Sequence, residues 1–270
     1  MREKSKELEV AIHAALEAGK ILEKYFETGI EREKKDQDAS KVVESVTKVD
    51  RESEALIKKI LSDNFPTNSI MGEETGLTDN QSEYIWYVDP VDGTTNYAHG
   101  LPLFGVSIAL AHNNNLLTGV IYNPKTKELL YAEKGKGAYL NDRPIHVSKD
   151  DEKVGMMTTG TGRDKKDMEF TTDFTTTIRS KVRYVRILGC TIMELSYVAR
   201  GSMEADIITG LSPHDFAAGA LLVLEAGGKV TKHDGSPWQF PDNYFIASNG
   251  VFHDLLVEEI MRIKNLAPRT

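Results

Sequence analysis

Two carboxylates three residues apart, Asp89 and Asp92, stand in the run Trp86-Tyr87-Val88-Asp89-Pro90-Val91-Asp92-Gly93-Thr94-Thr95-Asn96. The aromatic and β-branched residues before Asp89 predict a strand, and Asp89-Pro90 predicts the turn that ends it. Pro90 fixes its own φ and biases Asp89 towards extended backbone, while Gly93 can take angles closed to other residues. Such a turn aims both carboxylates outward. The amides of Gly93, Thr94 and Thr95, opening a helix, would form a small anion site. Asp-Pro or Asp-Gly alone is an ordinary turn dipeptide. Their combination beside an anion site makes chemical sense with cations in between, and hard ions such as Mg²⁺ take oxygen ligands while keeping several waters.

Other acids could complete such a centre, and each has a plainer reading. Glu73 and Glu74, in Gly72-Glu73-Glu74-Thr75-Gly76, also read as a solvated turn. Asp215, in Pro213-His214-Asp215-Phe216, also reads as the N-cap of an apolar helix. Asp50 also reads as a first-turn helix charge, capped by Thr47. A nucleophilic Asp-x-Asp-Gly-Thr phosphatase is excluded, because Pro90 stands two residues before Asp92.

The chain has 270 residues and a net charge of -8, which argues against nucleic acid or an anionic membrane as partner. Its one cysteine, Cys190, allows no intrachain disulfide and no cysteine-based zinc site. No apolar stretch approaches the roughly 20 residues that span a bilayer, and the first residues lack a leader's apolar core. The expectation is a cytoplasmic protein.

Positioning these residues requires a scaffold. Leu8, Ile12, Ala15, Gly19, Leu22 and Phe26 predict a helix over about 5–27. The charge run 31–38 predicts a mobile solvated loop or hairpin. A second helix, from about Thr47 to Asn64, should bury Ala55, Leu56, Ile60 and Leu61 and stop at Pro66. Strands over Tyr84–Val88, Phe104–Ala111, Leu117–Tyr122, Leu129–Ala132 and Ala138–Leu140 make the first half two helices against an antiparallel sheet. Beyond Val154, strands at Met156–Thr159, Tyr184–Leu188, Ala205–Ile208, Lys229–Thr231 and Phe245–Ser248 alternate with helices at Glu169–Arg179, Thr191–Arg200, Asp215–Glu225 and Gly250–Ile263. An α+β half over 1–150 and an α/β half over 151–270 are therefore expected, divided near 148–153.

Taken together, Asp89 to Tyr97, Gly72-Glu73-Glu74, Val46 to Asp50, Lys134 to Ala138, Asp215-Phe216-Ala217-Ala218-Gly219 and Glu225-Ala226-Gly227-Gly228 resemble the inositol monophosphatase family, in the same order and over nearly the whole chain. The resemblance implies a layered αβαβα sandwich, a homodimer, inhibition by lithium, and hydrolysis of a small phosphate monoester with roughly two or three Mg²⁺ ions. It implies one ion on Glu73, Asp89 and the Val91 carbonyl, a second on Asp89, Asp92 and Asp215, and a third near Glu73. Catalysis would fall to Glu73, Thr94 and Asp50, which orient and deprotonate the attacking water. Substrate would meet Asp92, Gly93, Thr94 and Thr95 and, further along, Gly189, Cys190, Thr191 and Ile208.

Two positions depart from the pattern. His214 stands where many members carry Trp; an outward or supporting role fits it better than metal ligation. Ile208 stands where inositol-specific members tend to carry Glu, which favours breadth. Inositol monophosphate is the expected substrate, with an NADP phosphatase or a fructose-1,6-bisphosphatase of broad specificity as the alternative.

Overall fold

Residues with apolar or small side chains recur every three or four positions from Leu8, and α1 (Lys6–Phe26) buries that stripe, Leu8, Ala11, Ala15, Ala18 and Leu22 among it. The computed structural model describes residues 3–26, 32–34, 45–160, 162 and 164–266. Within the charge run 31–38 only β1 (Arg32–Lys34) is described, paired antiparallel with β2 (Ser45–Thr47); the rest of that run lies outside the described residues. There follow α2 (Lys48–Asn64), β3 (Ser69–Gly72), β4 (Gly76–Thr78), β5 (Tyr84–Asp92), α3 (Thr94–Ala98), β6 (Gly105–His112), β7 (Asn115–Asn123), β8 (Glu128–Glu133), β9 (Gly137–Leu140) and β10 (Arg143–Ile145). The remainder is β11 (Met156–Thr159), α4 (Lys165–Ile178), β12 (Tyr184–Arg186), α5 (Thr191–Ala199), β13 (Ala205–Thr209), α6 (Pro213–Glu225), β14 (Lys229–Lys232), β15 (Tyr244–Ser248) and α7 (His253–Leu266).

An eight-stranded sheet runs β10-β9-β8-β7-β6-β5-β3-β4, and a five-stranded sheet runs β12-β11-β13-β15-β14. Alternation along the strands sorts their side chains into separate cores. Trp86, Val88 and Ile108 pack under α1 and α2. Tyr87, Ala109 and Ile121 face the other way, onto α5 and α6. On the far side of the second sheet, Met157, Ile207 and Ile246 pack with Phe174 of α4 and Leu256 of α7. The layers are thus α1/α2, sheet, α5/α6, sheet, α4/α7: the αβαβα sandwich expected.

Three local expectations are corrected. The first sheet is mixed, because β3 pairs parallel with β5. The buried face of α2 is Val49, Asp50, Ser53, Glu54, Ile57 and Leu61, whereas Ala55 is exposed. That face carries polar groups toward neighbouring backbone, so hydrophobic spacing alone misplaces it. Helix α4 begins at Lys165, four residues before Glu169, since Asp164 caps it by accepting the Asp167 amide at 2.8 Å.

Candidate active site

Strand β5 places Asp89 on the same face as Tyr87, the face toward α6, and Asp89 is 1% exposed. Pairing with β6 is regular up to Asp89–Ser107 and then slips before Asp92–Gly105. The slip falls at Pro90, which has no amide to donate. Asp89 Oδ1 instead accepts the Val91 amide at 3.0 Å. Gly93, at φ 81°, turns the chain into α3 as the sequence leads one to expect, and the Thr94 hydroxyl donates to the Val91 carbonyl at 3.1 Å. A Cβ at Gly93 would lie 2.6 Å from the Leu103 carbonyl, so both conformation and space require glycine.

The other acids arrive from separate elements. Asp215 is not an N-cap; Ser212 caps α6, and Asp215, at the third helical position, accepts the Ser212 amide through Oδ2 at 2.7 Å. Pro213 takes the first helical position, so the cap lies three residues upstream of Asp215. Ser107, the β6 partner of Asp89, donates to the His214 carbonyl at 3.3 Å and so fixes α6 against β5 and β6. His214 lies beside Asp215, Nε2 to Oδ1 at 3.5 Å. Asp92 Oδ2 accepts the Ile192 amide at the start of α5 at 2.7 Å. Glu73 follows β3, with its amide bonded to the Val88 carbonyl at 3.1 Å, one residue before Asp89.

Asp89, Asp92 and Asp215 therefore each commit one oxygen to a backbone amide, which fixes their orientation. They line a cleft of about 350 Å³ together with Glu73, Val91, Gly93, Thr94, Thr95, Gly189, Cys190, Thr191 and Ile208. Asp50 is not among the lining residues; it is buried on α2, and its charge acts on Tyr97 of α3. Burial and then the charges of Glu73, Asp92 and Asp215 raise the pKa of Asp89 well above the carboxylate range. Burial followed by Asp215 raises Asp92 to about 7. Among the described residues no three His, Cys, Asp or Glu side chains close into a ready-made cage. The donor set is nonetheless all oxygen and crowded with like charge, and no Lys or Arg lines the cleft among the described residues. That chemistry fits hard divalent cations, which share carboxylates and retain water.

The second half supplies the remaining wall. Gly189, at φ 68°, precedes Cys190, the N-cap of α5. Cys190 is 1% exposed, its Sγ donates to the Asp92 carbonyl at 3.6 Å, and burial raises its thiol pKa, which suits a lining residue and not a nucleophile. Asn96 binds the Leu188 and Leu103 carbonyls at 2.8 and 3.0 Å, clipping this loop to α3. Ile208 gives its stretch of the wall an apolar side chain, and His233 bonds the Ile208 carbonyl at 2.9 Å.

Several residues escaped the sequence reading. Glu194 lines the cleft and accepts the Leu188 amide at 2.8 Å. Asp206 on β13 is wholly buried, and burial raises it to about 7. Thr158 and the Ile207 amide ease that burden, although neither Asp206 oxygen accepts a well-formed hydrogen bond. Glu54 is also fully buried. Its only sequence signal is an acid one helical turn from Asp50; for Asp206, inside an apolar strand, there is none beyond its oddity.

The family model for inositol monophosphatases matches residues 3–265. Inositol monophosphatase 1 of Solanum lycopersicum is 38% identical over 261 residues, covering 94% of each chain. A fructose-1,6-bisphosphatase/inositol-1-monophosphatase of Thermotoga maritima is 37% identical over 221 residues, 81% of this chain and 83% of its own. A solved IMPase structure from the same organism superposes with a TM-score of 0.87 at 32% identity, over 97% of this chain and 99% of that one.

Proposed function

This chain belongs to the inositol monophosphatase family, and we propose that it is a Mg²⁺-dependent phosphomonoesterase acting on small phosphate esters, inositol monophosphate foremost. That it is a hydrolase of the phosphatase type follows from the family and its relatives. The observation that carries the metal assignment is the cleft: Glu73, Asp89, Asp92 and Asp215 line it, and no cationic side chain does so among the described residues. A dianionic ester enters such a site when cations reverse its sign.

In this reading Glu73, Asp89, Asp92, Asp215 and the Val91 carbonyl hold two ions, with a third near Glu73. Bound there, Mg²⁺ would supply positive charge for the phosphoryl oxygens and a lowered pKa for water near neutral pH. Glu73 and Thr94 would orient the attacking water and draw its proton, the threonine hydroxyl being held towards the Val91 carbonyl, with Asp50 assisting from outside the cleft lining. The amides of Gly93, Thr94 and Thr95 receive phosphoryl oxygens. Residues 1–150 thus supply most ligands, and 151–270 supply Asp215 and the wall at Gly189, Cys190, Thr191 and Ile208. Lithium sensitivity, a homodimer and a cytoplasmic site belong to the same proposal and rest on the family resemblance; no helix among the described residues is long and apolar enough to cross a membrane.

Buried Ile208 in the cleft wall, and a relative named for both fructose bisphosphate and inositol phosphate hydrolysis, favour a second reading: a broad enzyme taking fructose 1,6-bisphosphate or NADP. Phosphate release from inositol 1-phosphate, fructose 1,6-bisphosphate and NADP, with Mg²⁺ and after chelation, tests both. Release confined to Mg²⁺ is expected, and the ranking of kcat/KM chooses between them. No release from any of the three, or release indifferent to chelation, would sink the proposal.

A further inference from the structure

On α2, Asp50, Glu54 and Lys58 follow one another at four-residue spacing and so form one stripe. Glu54 is 0% exposed. Its carboxylate takes the turn after β3: Oε2 accepts the Glu74 amide at 2.7 Å, and Oε1 accepts the Thr75 amide at 3.1 Å and the Thr75 hydroxyl. Lys58 Nζ donates to the Thr75 and Thr78 hydroxyls, both at 2.8 Å. A Cβ at Gly72 would lie 2.5 Å from Glu54 Oε1, so glycine there lets the carboxylate close on the turn. Glu73 sits between two anchors, its own amide on Val88 of β5 and the next two amides on Glu54 of α2.

We propose that Glu54, working through the Glu74 and Thr75 amides and the Thr75 hydroxyl that Lys58 also bonds, is a positioning residue that sets Glu73 against Asp89 and keeps this turn and Asp50, on the same helix, in register with the metal centre. This rests on Glu73 being a metal ligand. The physical argument is one of orientation: an acid in a turn can swing with its backbone, whereas one clamped between a strand and a buried helical carboxylate meets the ion already aligned. Replacing the carboxylate by an amide keeps the size but sets an NH₂ against a backbone N–H, so the turn loses one of its anchors.

The test is Mn²⁺ binding to the chelated and reloaded full-length protein, followed by electron paramagnetic resonance, beside thermal unfolding of the metal-free form. Glu54→Gln should weaken Mn²⁺ binding roughly tenfold to a hundredfold. Substrate KM at saturating metal should stay within about threefold, and the metal-free midpoint should fall only slightly. Thr75→Val, which removes only the hydroxyl, should weaken binding in the same direction by a smaller factor; it decides the matter if Glu54→Gln fails to fold. Wild-type Mn²⁺ affinity in folded Glu54→Gln, or in Thr75→Val where the former is unfolded, overturns the inference. If Asp89→Asn and Glu73→Gln also bind Mn²⁺ normally, it is the metal-centre reading that has failed.

Discussion

Asp89 bears the largest electrostatic burden in the cleft, being 1% exposed and facing Glu73, Asp92 and Asp215. Asp89→Asn keeps the shape and relieves the repulsion, so the folded protein should survive while turnover drops by at least about a hundredfold; far-UV circular dichroism and Mg²⁺-dependent phosphate release check both halves. A variant with near-normal activity would remove Asp89 from the centre. Asp50 acts at one remove, outside the lining and close in charge to Tyr97 of α3. Asp50→Asn should therefore lower kcat by about a hundredfold while leaving KM within about threefold. Steady-state kinetics at saturating Mg²⁺ distinguish that pattern from lost substrate binding.

Among elements, the β5–α3 turn and the α5–β13 contact each hold a strained or costly group. Gly93→Ala places a Cβ against the Leu103 carbonyl in a left-handed conformation, and stability should fall by about 1–3 kcal/mol, measured by urea unfolding. On β13, burial raises Asp206 from the ordinary 3.8 to about 7, so between those values the folded chain keeps a proton that the unfolded chain releases. The unfolded state then binds fewer protons, and this group makes stability fall as pH rises from 3.8 towards about 7 and level off above it. Asp206→Asn should flatten that part of the profile and raise the metal-free midpoint on its alkaline side by about 3 °C or more. Calorimetry of wild type and variant across the range reads the difference; parallel profiles would show that Asp206 carries no such cost.

Across the whole molecule, layers from both halves meet at the acids, so ion binding at the proposed centre would be linked to folding. Mg²⁺ in excess over its dissociation constant should raise the melting midpoint of the chelated protein, by about 2.7 kcal/mol of stability at a hundredfold excess. Differential scanning calorimetry with and without EDTA measures it, and an unchanged midpoint would argue that the carboxylates bind no ion. Much of the architecture was legible in the chain. The stripe of α1 and the helix after Gly93 follow from period and turn chemistry, while the layered sandwich was implied by the family resemblance. The acids at 73, 89, 92 and 215 each stand at a turn or helix start, but it was the family resemblance, not that local signal, that grouped them. What periodicity cannot express is which distant backbone a polar group will meet. Glu54 looked like one more charge on a helix until β3 brought the Glu74 and Thr75 amides to it, and β3 itself joined the sheet in parallel with β5. Asp206 gained its cost only when α5 and β11 closed over it. By itself the sequence determined the acids and the local turns that present them, because those depend on neighbours in the chain. The tertiary structure decided which carboxylates face the cleft and which are spent holding it, because burial and desolvation arise only when the layers pack.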